Sequence, residues 1–133
     1  MPKTPRPLNV LIVDDSALMR EGLSALFQTV PGVEVVGVAE NAPAAIRRIR
    51  AGGVDAVTLD LDLDGESGVD VLKAIKADPA APVFIVLTIH SFSELGAHCQ
   101  AAGADYYFEK AGSLDGVLNL LGGLAERHAA ELP

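Results

Sequence analysis

Apolar residues recur along this chain in two periods, and the two alternate. Leu8 to Val13 is an almost unbroken apolar run, which reads as a buried strand, and it stops at Asp14 and Asp15. Ser16 then opens a helix whose apolar positions Met19, Leu23, Leu26, Phe27 and Val30 follow the 3.6-residue period until Pro31-Gly32 breaks it. Val33 to Val38 reads as a second strand. A second helix, from about Pro43 to Arg50, places Ala42, Ala45, Ile46 and Ile49 inward and its arginines outward, and Gly52-Gly53 ends it. Asp55 to Leu59 is a third strand, ending at Asp60. Gly68 starts a helix with Val71, Leu72 and Ile75 inward, stopped near Asp78-Pro79. Val83 to Thr88 is apolar enough to lie inside a sheet, Ser91 to Ala102 is a weaker helix rich in small residues, and Asp105 to Phe108 is a fifth strand running toward Lys110. Ser113 is placed to cap a last helix with Leu114, Val117, Leu118, Leu121 and Leu124 on one face.

Strands alternating with helices predict βαβ units, and hence an α/β fold with a doubly wound, five-stranded parallel sheet. Right-handed crossovers put every strand C-terminus on one edge. Asp14, Asp15, Asp60, Thr88 and Lys110 each fall at or just past a strand end, so they are predicted to share that edge. Ligands of open parallel sheets bind there.

Composition narrows the function. The 133 residues fit one domain, read as 8–127, between a flexible proline-containing tail (1–7) and a short C-terminal tail (128–133). A formal charge of −8 argues against a sequence-independent grip on nucleic acid. No apolar run has the length of a membrane span, Leu8 to Val13 is too short for a signal peptide, and Cys99 is the single cysteine. A cytoplasmic protein without disulfides is the expectation. His90, His98 and His128 have no metal-ligand spacing, and His98 and His128 read as surface residues.

The acidic tip after the third strand admits three chemistries. Asp60, Asp62, Asp64 and Gly65 fill the first specified positions of a calcium-binding EF-hand loop, but Val71 stands where a bidentate Glu is needed. Asp62-Leu63-Asp64-Gly65-Glu66-Ser67 is similar to the nucleophile motif of haloacid-dehalogenase-like phosphatases, which sits on their first strand, whereas two helices precede it here. The third chemistry is phosphoryl acceptance by Asp60. Clustered carboxylates repel one another unless a cation sits among them, and oxygen ligands suit Mg²⁺, with Mn²⁺ as a substitute. A carboxylate can attack a phosphoryl group, and a metal ion, a lysine and a threonine hydroxyl can stabilise the transferred oxygens.

Val-Asp-Asp-Ser (13–16), Leu-Asp-Leu (59–61) with Gly68 eight residues past Asp60, Leu-Thr (87–88) and Ala-Gly-Ala-Asp-Tyr-Tyr-Phe-Glu-Lys (102–110) match one family in order and spacing. Over roughly residues 8–125 the chain resembles the chemotaxis-type receiver domain of two-component response regulators. The resemblance implies the flavodoxin-like strand order 2-1-3-4-5. It implies phosphorylation of Asp60, Mg²⁺ held by Asp14, Asp15, Asp60 and the Asp62 backbone carbonyl, and Lys110 on the phosphoryl group. Thr88 and Tyr107 would form the switch pair. The domain would catalyse its own phosphorylation and dephosphorylation without being a conventional enzyme. Its partners would be a sensor histidine kinase or phosphotransfer protein and a downstream protein, with neither nucleic acid nor membrane bound directly and with homodimerisation on phosphorylation as an option.

Departures from the family pattern matter too. Ala111 follows Lys110 where a proline is common, freeing the next loop to take another path. Asp64 replaces a usual proline, which should add charge and remove rigidity. Ile89 follows Thr88 where a smaller residue is common and would narrow access, while Asp62 and His90 flank the path of hydrolytic water. Asp62, Ile89 and His90 are therefore the expected rate-tuning positions. The chain ends soon after its last helix, so a stand-alone regulator is the expectation. The rival is a degenerate receiver that acts as a phosphate-independent interaction module.

Overall fold

The computed structural model describes residues 6–112 and 114–131. Its elements in chain order are β1 (Leu8–Val13), α1 (Ala17–Phe27), β2 (Val33–Ala39), α2 (Ala42–Arg50), β3 (Ala56–Leu59), β4 (Asp62–Leu63), β5 (Glu66–Ser67), α3 (Val69–Ile75), β6 (Val83–Thr88), α4 (Phe92–Ala102), β7 (Tyr106–Glu109) and α5 (Asp115–Ala130). The main sheet is parallel with order β2-β1-β3-β6-β7, which is the predicted doubly wound order once the short β4–β5 pair is set aside.

The period of two along the strands divides the core into two layers. Leu11, Val13, Val57, Leu59, Phe84 and Val86 face α2, α3 and α4, where Ala45, Ile49, Leu72, Ile75 and Cys99 meet them. Val10, Ile12, Ala56, Ile85 and Leu87 face the other way, against Leu23 and Phe27 of α1 and Val117, Leu121 and Ala125 of α5. Both faces of the inner strands are covered, which is why their sequence is apolar without alternation.

Some local readings are corrected. Leu26, expected in the inward stripe of α1, is 38% exposed, because the buried stripe is narrow, Leu23 and Phe27, and Leu26 sits roughly 60–100° round the helix from them. The third helix stops at Ile75, one turn before Asp78-Pro79. Asn41 caps α2 by accepting from the Ala44 N–H, so the helix starts just ahead of Pro43. Ser113 as a cap lies outside the described residues, as do residues 1–5 of the predicted tail. At the other end α5 continues through Ala130, and its half-buried His128 stands 3.8 Å from Asp55.

The segment 62–67 was expected to be a loosened loop and is a tight antiparallel hairpin instead, with Asp62 opposite Ser67 and Leu63 opposite Glu66. Its two turn residues both have positive φ, Asp64 at 45° and Gly65 at 82°. That is the geometry Asp-Gly favours in two-residue hairpins and one that proline cannot adopt. A two-residue turn of this kind leaves no room for a twelve-residue calcium loop.

Candidate acidic phosphoryl site

At the C-terminal edge of the sheet, β1 and β3 deliver Asp14 and Asp60 side by side, because the Asp60 N–H continues the ladder to the Val13 carbonyl at 2.9 Å. Asp14 and Asp60 are buried at 2% and 5% exposure, and Asp15 is exposed beside them. One carboxylate oxygen from each of the three lies within 4.8 Å of the others. This is a hard, all-oxygen donor set of the kind that suits Mg²⁺.

Lys110, just past β7, is brought over the pair when its N–H donates to the Thr88 carbonyl at 2.6 Å. Its Nζ donates to Asp14 Oδ2 at 2.8 Å and to Asp60 Oδ2 at 3.1 Å. Burial pushes the Asp60 carboxyl above the ordinary carboxylate range, and Asp14 adds to the rise. The Asp62 N–H (3.2 Å to Oδ1) and Lys110 only partly oppose it. For Lys110, burial alone would lower the ammonium's pKa, but its bonds to Asp14 and the charge of Asp60 outweigh burial and raise it.

Gly68 packs directly on the loop that follows β3. A Cβ there would stand 2.2 Å from the Asp60 backbone oxygen, which gives the spacing of eight residues a steric reason. The β4–β5 hairpin is tied to the cluster by the Asp64 N–H, which donates to Asp15 Oδ2 at 3.1 Å.

The structure connects the remaining predicted positions through one residue. His90 Nε2 lies 2.9 and 3.1 Å from the two carboxylate oxygens of Asp62, its N–H donates to Thr88 Oγ1 at 3.3 Å, and its carbonyl accepts from Tyr107 Oη at 2.9 Å. Thr88 is fully buried at the end of β6. Tyr107 also packs edge-to-face on Phe92, with ring centroids 5.4 Å apart, and burial pushes its phenol up to about 12. Tyr106, its neighbour, is 37% exposed, so Tyr107 is the more buried of the two tyrosines. Ile89 is 68% exposed just past β6. The Asp62 carboxylate meets His90 and, among the described residues, is not part of the acidic trio, so the residue that the haloacid-dehalogenase-like reading needs as nucleophile stands apart from the cluster that holds Asp60. Sequence reading missed the hairpin and the His90–Asp62 contact. Asp64-Gly65 carried the first signal, whereas nothing local announces the second, 28 residues apart.

The chain belongs to the response regulator receiver domain family, whose model matches residues 10–121. It is 35% identical over 103 residues to the response regulator UvrY of Escherichia coli, covering 77% of this chain and 47% of UvrY. It is 38% identical over 104 residues to the nitrate/nitrite response regulator protein NarP of the same species, covering 78% and 48%. The chain thus spans about half the length of these curated relatives. A solved structure described as the CheX-CheY-BeF3-Mg²⁺ complex of Borrelia burgdorferi superposes with a TM-score of 0.80 at 25% identity, over 90% of both chains. No helix among the described residues is long and apolar enough to cross a membrane.

Proposed function

We propose that this chain accepts a phosphoryl group on Asp60 from a histidine kinase or histidine phosphotransfer protein and passes the change on through its surface. The observation that carries this reading is the buried Asp14–Asp60 pair bridged by Lys110, with Asp15 completing a trio of converging oxygens. Asp14, Asp15, Asp60 and the Asp62 carbonyl would hold Mg²⁺, or Mn²⁺ in its place. Held there, such an ion would supply charge neutralisation for the transferring oxygens. An Asp60 oxygen attacks phosphorus, the phosphorus–nitrogen bond of the donor imidazole breaks, and the imidazole leaves with the electron pair. Lys110 then exchanges its bond to Asp60 for one to a phosphoryl oxygen. The Thr88 hydroxyl, already at the end of β6, turns toward another oxygen.

Moving Thr88 releases the His90 N–H and so disturbs the loop whose carbonyls hold Tyr107. That supports Thr88 and Tyr107 as the switch pair, in the sense of a two-state element biased by a local charge. Hydrolysis needs water to approach phosphorus past Asp62, Ile89 and His90, so these three set the lifetime of the acyl phosphate. The switched surface acts on a protein partner in the cytoplasm or on a second copy of the chain.

Beryllofluoride, a phosphoryl mimic, offers the test. With Mg²⁺ and fluoride it is expected to give bound ¹⁹F resonances on the wild type and none on Asp60→Asn. Absence of bound signal on the wild type would favour a phosphate-independent interaction module.

A further inference from the structure

The backbone carbonyl of Asp14 accepts a hydrogen bond from Arg20 Nη1 at 2.8 Å, a contact of its main chain and not of its carboxylate. Among the described residues Asp14 makes four polar contacts. Its N–H donates to the Ala39 carbonyl at 3.0 Å, Oδ1 accepts from the Ser16 N–H at 2.9 Å, and Oδ2 accepts from Lys110 at 2.8 Å. The fourth group, the carbonyl, lies beyond the strand ladder, and only a side chain reaching back along α1 meets it. Long helical side chains lean toward the helix N-terminus, so a residue in the first turn of α1 is well placed to do so.

That carbonyl belongs to the peptide plane joining Asp14 to Asp15. Fixing the plane fixes the direction in which the chain presents Asp15, the one exposed member of the trio, whose carboxylate is otherwise held by the Asp64 N–H. We infer that Arg20 is a positioning residue for cation binding: its guanidinium clamps the Asp14–Asp15 peptide so that both carboxylates converge with Asp60. The inference rests on the acidic trio being the metal site proposed above.

Position and charge act in opposite directions here. A guanidinium close to the trio repels a divalent cation, so if charge alone mattered, removing it would tighten binding. If the clamp dominates, removal weakens binding, because partners that orient metal ligands are typically worth about 10–100-fold in affinity. Mg²⁺ affinity of the 133-residue chain, by calorimetric titration, separates the two. Arg20→Ala is expected to bind Mg²⁺ about tenfold more weakly. Arg20→Lys, which keeps a cationic donor, is expected to recover most of the affinity. Leu23→Val, a core trimming on the same helix, lowers stability and leaves Mg²⁺ affinity within about twofold, which distinguishes the clamp from a general weakening of α1. Unchanged or tighter binding by Arg20→Ala would overturn the inference, as would an equal loss in Leu23→Val. If Arg20→Ala does not fold, wild-type affinity in Arg20→Met overturns it equally. Failure of the wild type to bind Mg²⁺ would instead remove the metal site itself.

Discussion

Two buried polar residues, Thr58 on β3 and Asp60 just past its end, show how burial is used differently. Thr58 is 1% exposed and its hydroxyl has no partner among the described residues, between Ile12 and Ile85 on the neighbouring strands. Thr58→Val fills the same space without an unpaired donor and is expected to stabilise the fold by about 1 kcal/mol, read as a higher midpoint in urea; a lower midpoint would show that the hydroxyl has a partner after all. Asp60 is also buried, but its strain is tied to the chemistry proposed for it. Its carboxyl is raised above the ordinary range chiefly by burial, so ionising it costs the folded state more than the unfolded one. This contribution is harmless below the unfolded-state pKa and grows as pH rises through the raised folded-state value. Without metal, Asp60→Asn should therefore match wild type in acid and exceed it in thermal stability at neutral pH, by on the order of a few degrees. Equal stability at every pH would mean that Lys110 already offsets the burial of Asp60.

At the scale of elements, what could be read in advance was whatever repeats or stands at a strand end. Apolar runs gave the five main strands, and residues after them gave Asp14, Asp15, Asp60 and Lys110, because a parallel sheet with right-handed crossovers has one C-terminal edge. Contacts between loops were not legible in the same way. Asp62 and His90 are 28 residues apart and meet only because the hairpin folds toward the β6–α4 loop. At Asp64 the missing proline suggests a looser loop, whereas the dipeptide Asp64-Gly65 specifies a turn. The 3.6-residue period includes Leu26 in the inward face, yet the period does not say how wide a buried stripe is. Gly68 is the element-scale residue with the clearest consequence. In Gly68→Ala the new Cβ meets the Asp60 carbonyl, so either α3 or the loop after β3 must move, at a cost of about 1–3 kcal/mol in chemical unfolding. A neutral effect would show that the α3 start yields freely.

For the whole molecule, a chain of charge −8 concentrates three carboxylates on one edge and sets a single lysine among them. Two apolar layers on a parallel sheet set β1 and β3 side by side, and Lys110 bridges the two buried carboxylates at their ends. The central claim is that this edge takes up one phosphoryl group, at Asp60, with a divalent cation. Intact mass spectrometry after incubation with acetyl phosphate and Mg²⁺ tests it most directly, on wild type, Asp60→Asn and Asp62→Asn. The account predicts one phosphoryl adduct on the wild type and on Asp62→Asn, and none on Asp60→Asn or on the wild type with a chelator. An adduct that survives Asp60→Asn, or is lost only with Asp62→Asn, would contradict it.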